Sequence, residues 1–417
     1  MYNRTESVGK PLAVKNANYK ADFQYATRVT SYILTSIGIW PAVFEGVGRY
    51  LPIIVILLIH LTIYFAVIPC ALYIMYDDEN VLIKMKLFGL LAFATVAILK
   101  HCALTFRRST IARCAKHVEE DWKLVECDLD REAMLKHGRI GRNLMMMCAC
   151  FMYSGGLLYH SFLPLTSNED DGQVDDHDHN RTTRHLVYPT YHGYFESQKS
   201  PVFELVYALH CLCEYIMYSA TAGVCTLAAL LATHACGQIE IMMCRLKDLA
   251  DGKIFGGSSN VDVRFKIIVQ QHLRVLGFAG MTERILQEVC LIEFVGSIFL
   301  ICQLEYYCIA DWRVRDIKGF TTFVLLLISV TFNIFILCHI GELLMEKTSY
   351  IGQACYMIDW YRLPIETSRG LILIMVMSCN PAKISAGRML DISISTFVSV
   401  LKTSMACLSF IRTAVLN

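Results

Sequence analysis

Long apolar runs separated by short polar ones dominate the chain. A helix needs roughly 20 apolar residues to cross the hydrocarbon core of a bilayer. Seven stretches meet that length: about Leu51–Tyr76, Val81–Phe106, Asn143–Leu165, Pro201–Cys236, Ile285–Ile309, Phe320–Leu344 and Ala386–Val415. The fourth is long enough to project beyond the membrane. Lys84, Lys86 and Lys100 interrupt the second, where long cationic side chains are expected to snorkel to the interface. Leu371–Met377 is too short to span and is assigned to a cytoplasmic helix. The first fifty residues are mixed and polar, with no basic segment leading into an apolar one as a cleavable signal would have.

Composition agrees with the pattern. Of 417 residues, 55% are hydrophobic and only 18% charged. Mean hydropathy is +0.44. Soluble chains carry about a quarter charged residues, so a water-soluble enzyme is disfavoured. The net charge of +1 provides no field to recruit nucleic acid. The 18 cysteines are scattered, many within apolar stretches, and none are spaced as CxxC. They read as small apolar side chains.

Charge between the apolar runs sets the orientation. The 107–142 loop carries Arg107, Arg108, Arg113, Lys116, Lys123, Arg131, Lys136, Arg139 and Arg142. The 237–284 loop carries Arg245, Lys247, Lys253, Arg264, Lys266, Arg274 and Arg284. By contrast, residues 77–80 are Asp-Asp-Glu-Asn, and the 166–200 loop holds seven acids against Arg181, Arg184 and Lys199. The expectation is therefore an all-α membrane protein with seven transmembrane helices, a cytoplasmic N-terminus and an extracellular C-terminus. That orientation is inverted relative to G-protein-coupled receptors. Asn380-Pro381 looks like their NPxxY, but position 384 is Ile and a full apolar run follows. Of the two NRT sequons, at Asn3 and Asn180, only Asn180 falls outside, where it is a candidate glycosylation site.

Candidate chemistry is sparse. GxSxG, HExxH, GxGxxG and Walker sequences are all missing, so catalysis has no support and no cofactor is implied. Asp175-Asp176-His177-Asp178-His179 could ligate a metal, but a solvated acidic loop is the simpler reading, and an acidic outer loop would also concentrate cations. Charges inside spans are costly and often functional. They are Glu214, Glu293, His339 and Glu342, each alternatively a helix-end residue or one of an internal pair. His60 reads as a packed histidine.

The last span is the most informative. Ser395, Ser399, Thr403, Ala406, Phe410 and Thr413 follow one another at steps of three or four, which places them on one helix face. Val398, Leu401, Met405, Leu408 and Ile411 take the other side, and Lys402 and Arg412 flank the stripe. A small, hydroxylated stripe suits a water-filled path, with Phe410 able to close it by dewetting. Close helix packing is the alternative. A second constellation suits a small apolar ligand: Phe88 and Leu91 on the second span, Met152, Gly155 and Tyr159 on the third, Cys211 and Tyr215 on the fourth, Phe323 and Leu327 on the sixth. Ordinary intramembrane packing accounts for the same sets.

Several short motifs in this order resemble the insect odorant receptors, specifically their variable tuning subunits. They are Gly38-Ile39-Trp40-Pro41, Gln271-His272 followed by Leu276 and Phe278, and Gly341-Glu342-Leu343. Ala354, Tyr356, Trp360-Tyr361 and Leu363-Pro364 follow, and then Ala386-Gly387, Phe397, Val400-Leu401-Lys402 and Arg412. The resemblance implies a ligand-gated, non-selective cation channel of four subunits, assembled with the shared odorant receptor co-receptor. It implies a cytoplasmic segment over 1–50, helices one to six over 51–346 with a pocket in the outer half of helices two to six, an anchor over 347–385, and a pore-lining helix over 386–417. The pore residues would be Ser399, Thr403, Ala406, Phe410 and Thr413, with the gate at Phe410; an aromatic gate departs from the co-receptor's branched aliphatic one. Partners would be a small volatile odorant, membrane lipid and permeant cations, at a sensory-neuron plasma membrane. The 237–284 loop lacks the long insertion that marks the co-receptor. A gustatory-type channel, an atypical G-protein-coupled receptor and a transporter are the other readings.

Overall fold

The computed structural model describes residues 15–41, 50–76, 81–125, 127–166, 200–253 and 256–416. The apolar runs become helices. These are α2 (Leu51–Tyr76), α3 (Val81–Phe106), α5 (Asp128–Thr166), α6 (Val202–Ala250), α7 (Val261–Val314), α8 (Ile317–Met357) and α10 (Ile394–Leu416). Five of them, α2, α3, α6, α7 and α8, are by themselves long and apolar enough to span a membrane. At ~1.5 Å per residue, the 49 residues of α6 and the 54 of α7 run about 74 and 81 Å, far beyond a bilayer.

Burial sorts these helices into interior and periphery. The most apolar window of α6 is 94% buried inside the molecule, whereas that of α2 is only 22% buried. The centre of α6 is rich in small residues, from Ala220 and Ala222 to Ala228, Ala229 and Ala232, all inaccessible. Small side chains let helices approach closely where lipid supplies no hydrophobic drive, and α6 accordingly touches α1, α2, α3, α5, α7 and α8. On α2, Leu57, Leu58 and Leu61 point outward, as a lipid-facing helix requires.

Three further helices occupy segments with no long apolar run. α1 (Tyr19–Ser36) and α4 (Arg108–Leu124) are amphipathic; α4 buries Ile111, Cys114, Ala115, Val118 and Trp122 along one stripe. α9 (Ile365–Ser378) contains the short apolar stretch Leu371–Met377 and packs on α8 and α7. Together with the extensions of α6, α7 and α8, these helices assemble one end of the molecule. A separate core there unites Ile239, Met242, Leu246, Ile268, Ile351, Leu371 and Ile374.

Ionic contacts stitch this end together. Asp22 of α1 receives both Nε and Nη2 of Arg131, each at 2.8 Å. Arg245 bonds Asp130 at 2.8 Å, Lys347 bonds Glu240 at 2.8 Å, and Arg107 pairs with Glu288. The bond from Arg131, joined by one from Asn16, outweighs burial and holds the Asp22 carboxyl below the ordinary carboxylate value. Burial raises the Asp121 carboxyl, but a 2.8 Å hydrogen bond from His234, with Arg274 and His117 nearby, leaves it lowered. Helices α1, α4 and α9 and the extensions of α5, α6, α7 and α8 therefore share one end.

The entry to α10 differs from expectation. A helix starting at Ala386 was expected; instead β1 (Ser385–Ala386) pairs antiparallel with β2 (Leu390–Asp391), and the helix begins at Ile394. Gly387 and Arg388 both have positive φ, 61° and 59°, forming the left-handed centre of a tight turn. The hairpin rests on α7 through a 2.7 Å bond from Gly387 N–H to the Gln287 carbonyl.

A candidate ligand chamber and pore helix

Inside the bundle the helices α3, α5, α6, α7 and α8 meet around a buried polar network. Lys100 of α3 is 2% exposed, and its Nζ lies 2.6 Å from Glu293 Oε2 of α7. Nζ also donates to Thr221 Oγ1 of α6 at 3.2 Å. Glu293 Oε1 accepts from Asn333 Nδ2 of α8 at 3.1 Å and from Ser297 Oγ at 3.4 Å. Asn333 Oδ1 in turn accepts from the thiols of Cys148 and Cys225, each at 3.2 Å. An unpaired buried charge would cost several kcal/mol, and partners on two other helices, Glu293 of α7 and Thr221 of α6, offset it. Lys100 thus does not snorkel as expected. It is instead buried against Glu293, one of the acids singled out above.

Above this network lies a chamber lined by Phe93, Val96, Lys100, Met152, Thr221, Glu293, Ser297, Leu300, Val330 and Asn333. The free space between these side chains is about 10 Å³. In this conformation roughly one water molecule fits, so a larger guest must displace side chains. Met152, flexible and fully buried, is the softest wall.

The sequence-predicted ligand set overlaps this chamber only at Met152. Gly155 sits where α5 touches α8, directly against Ser329. Phe88 faces Phe299 edge-on at 6.0 Å and is half exposed; Leu91 is partly buried. Phe323 stacks near Tyr307 at 5.1 Å, with the Lys86 ammonium 5.1 Å above its ring. Tyr215 stacks on Tyr153 at 5.8 Å, and Tyr153 shares a 2.7 Å hydrogen bond with Ser219. Cys211 is partly buried, and Leu327 packs at the edge of the main core. These residues lie along the helices from the chamber toward the end where α7 meets α8. The side chain of Tyr159, the sequon at Asn180 and the acidic 175–179 run lie outside the described residues. The sequence reading missed Phe93, Thr221 and Asn333; the available signal was Lys100 and Glu293, opposite charges in different spans.

α10 packs through Phe397, Val400, Leu401, Ser404 and Leu408. The stripe Ser395, Ser399, Thr403, Ala406, Phe410 and Thr413 lies away from that face, and every member is exposed. Phe410 is 75% exposed. Ser399, Thr403 and Thr413 donate to carbonyls four residues back, leaving oxygen lone pairs facing out. Val398 and Met405, expected on the packed side, are exposed between the two faces. At the helix start Glu342 Oε2 accepts the Ile394 N–H at 3.1 Å, so this intramembrane acid caps α10 where the helix dipole favours negative charge. His339 stacks on Phe335, and His60 bonds the Ile56 carbonyl as a packed histidine would.

A bundle of long apolar helices around an ion-paired polar heart, with one loosely attached helix at its side, is a multi-pass membrane protein. The family profile described as 7tm Odorant receptor matches residues 84–405, and the chain belongs to this family. Among individual proteins it is 23% identical over 246 residues to odorant receptor 13a of Drosophila melanogaster, spanning 52% of this chain and 59% of that protein. It is 22% identical over 235 residues to odorant receptor 10 of Aedes albopictus, spanning 55% and 60%. These matches therefore cover about three-fifths of either relative. The fold is that of the insect olfactory receptor OR5 of Machilis hrabei solved in complex with eugenol. The TM-score is 0.75 at 13% identity, covering 95% of this chain and all of that one. A second structure of the same receptor gives 0.70 at 14% identity, covering 94% of this chain and 99% of that one.

Proposed function

We propose that the chain is the ligand-specific subunit of an odorant-gated, non-selective cation channel, assembled with the odorant receptor co-receptor. The observation that carries this reading is the exposed hydroxyl stripe of α10, opposite its packed face. A helix bathed only in lipid gains nothing from such a stripe; a helix on a water-filled conduit does. One chain supplies one wall, so the conduit needs other subunits around it. In this reading Ser399, Thr403, Ala406, Phe410 and Thr413 line the path, and Phe410 closes it.

The end carrying α1, α4 and α9 is cytoplasmic, since it holds both basic loops. There the 347–385 segment exposes Tyr356, Met357, Trp360, Tyr361 and Ile365, an apolar surface suited to holding subunits together. A small volatile enters from the outer half between helices two to six, past Phe88, Leu91, Phe323, Leu327, Cys211 and Tyr215, and settles in the chamber beside Met152. Burial supplies ~0.8 kcal/mol per methylene, so about ten carbons reach micromolar binding. The guest must enlarge a chamber that holds about one water. It therefore binds the expanded state better, and only such a difference can open a channel.

The test is expression with and without the co-receptor while recording current to an odour panel. Odour-evoked cation current that requires both chains supports the reading. The absence of any odour-evoked current with the co-receptor present overturns it.

A further inference from the structure

We propose that Lys100 is a specificity-determining residue of the chamber, donating a hydrogen bond to an acceptor oxygen of the ligand. The receptor then prefers small oxygenated volatiles, such as ketones, aldehydes and esters, over hydrocarbons of the same shape. The inference rests on the reading of the chamber as the odorant site.

The argument is a count of donors and acceptors. The Lys100 ammonium has three N–H groups. Among the described residues one is directed, at Thr221 Oγ1, while the ammonium as a whole pairs ionically with Glu293 Oε2. Asn333 has two amide hydrogens, of which one goes to Glu293 Oε1. Glu293 Oε1 already receives two bonds and Asn333 Oδ1 two thiols, and Glu293 Oε2 holds the ammonium as its ion-pair partner. The polar floor therefore keeps an ammonium N–H and an amide N–H without a partner among the described residues, with a cation at its centre. The remaining walls are Phe93, Val96, Met152, Leu300 and Val330, which offer a ligand only burial. A single water can satisfy the spare donors in the empty chamber. A hydrocarbon that displaces it cannot replace those bonds and loses affinity, whereas a carbonyl oxygen can replace them.

The test uses pairs that differ only by oxygen against methylene: cyclohexanone with methylenecyclohexane, and acetophenone with α-methylstyrene. Dose–response currents are recorded from the full receptor with its co-receptor. A bond to a charged donor predicts that the ketone is more potent by about tenfold to a hundredfold. In Lys100→Met/Glu293→Gln, which removes both charges together, the potency ratio falls to near one while the hydrocarbon response persists. That persistence also reports a folded chamber. Lys100→Gln/Glu293→Gln keeps a neutral donor and restores part of the ratio. Equal potency in the natural receptor, or a ratio unchanged in the Lys100→Met pair, overturns the inference and leaves the channel reading standing. Should the double variants fail to reach the surface, the natural receptor's ratios decide alone. Silence to every volatile overturns the channel reading and this inference with it.

Discussion

The chamber and the pore helix solve the same problem, polar groups in a membrane, in opposite ways. Around the chamber the polar groups of α3, α5, α6, α7 and α8 find partners on one another. Lys100, Glu293 and Asn333 are each no more than 2% exposed. Along α10 the polar groups turn away from the rest of the chain. The hydroxyls of Ser399, Thr403 and Thr413 bond carbonyls of their own helix, and the stripe from Ser395 to Thr413 is uncovered. One region closes on itself within a single chain, and the other leaves its hydroxyls uncovered there. In the proposed assembly the ligand site belongs to its own chain, whereas the conduit is shared.

The comparison breaks most severely at Lys100. Lys100→Met alone leaves Glu293 ionised with no cation beside it, a loss of about 3–5 kcal/mol. The expected outcome is near-complete loss of surface receptor by extracellular tag labelling. The paired change with Glu293→Gln recovers most of it, because removing both members of a buried pair is close to neutral. Recovery failing in the pair would mean that the network is held by something other than charge.

Next comes the gate. Phe410→Ala removes the one bulky apolar group on the stripe and should raise basal current several-fold, with little change in surface amount. An unchanged leak and an unchanged odour response would remove Phe410 from the path. A smaller effect is expected where α10 joins the bundle. At Gly341 an added Cβ would strike the Ile392 carbonyl, backbone that cannot swing aside. Gly341→Ala should therefore cost about 1–3 kcal/mol, read as a lower melting temperature of purified protein, and should disturb gating more than ligand ranking.

The smallest effect sharpens the contrast from outside the membrane. The Asp22–Arg131 fork holds α1 on α5. Its carboxyl is depressed by that guanidinium, so its stabilisation is full above the unfolded value near 3.8 and is lost as pH falls through the folded one. Asp22→Asn should lower stability by about 1–2 kcal/mol at neutral pH. Limited proteolysis of α1 would then lose its acid sensitivity below about pH 4, while chamber and pore behaviour stay the same.

How much of this was legible in the sequence follows from which interactions are local. The apolar runs at Leu51–Tyr76 and Val81–Phe106 were read to the residue, because such lengths of apolar side chain define their own ends in charged or turn residues. The stripe on α10 was equally legible, since helical spacing alone puts Ser399, Thr403, Ala406 and Phe410 on one face. The amphipathic α4 passed as a basic loop, although Ile111, Cys114, Val118 and Trp122 carry a helical period. The hairpin before α10 depends on left-handed turn residues and on docking to α7, so an apolar pattern ran straight through it. The pairing of Lys100 with Glu293 joins distant segments, and no periodicity points from one to the other. For the same reason the enclosed chamber falls deeper along the helices than most of the predicted set.

The account's central claim, that α10 walls a shared conduit, is tested most directly by cysteine accessibility. In a Cys407→Ser background, cysteines are placed on the stripe at Ser399 and Thr403 and off it at Val398 and Met405. A membrane-impermeant thiol reagent is applied while odour-evoked current flows through receptor and co-receptor. The account predicts progressive block at Ser399→Cys and Thr403→Cys, faster with the channel open, and none at Val398→Cys or Met405→Cys. Block at the off-stripe pair with the stripe pair untouched would contradict it.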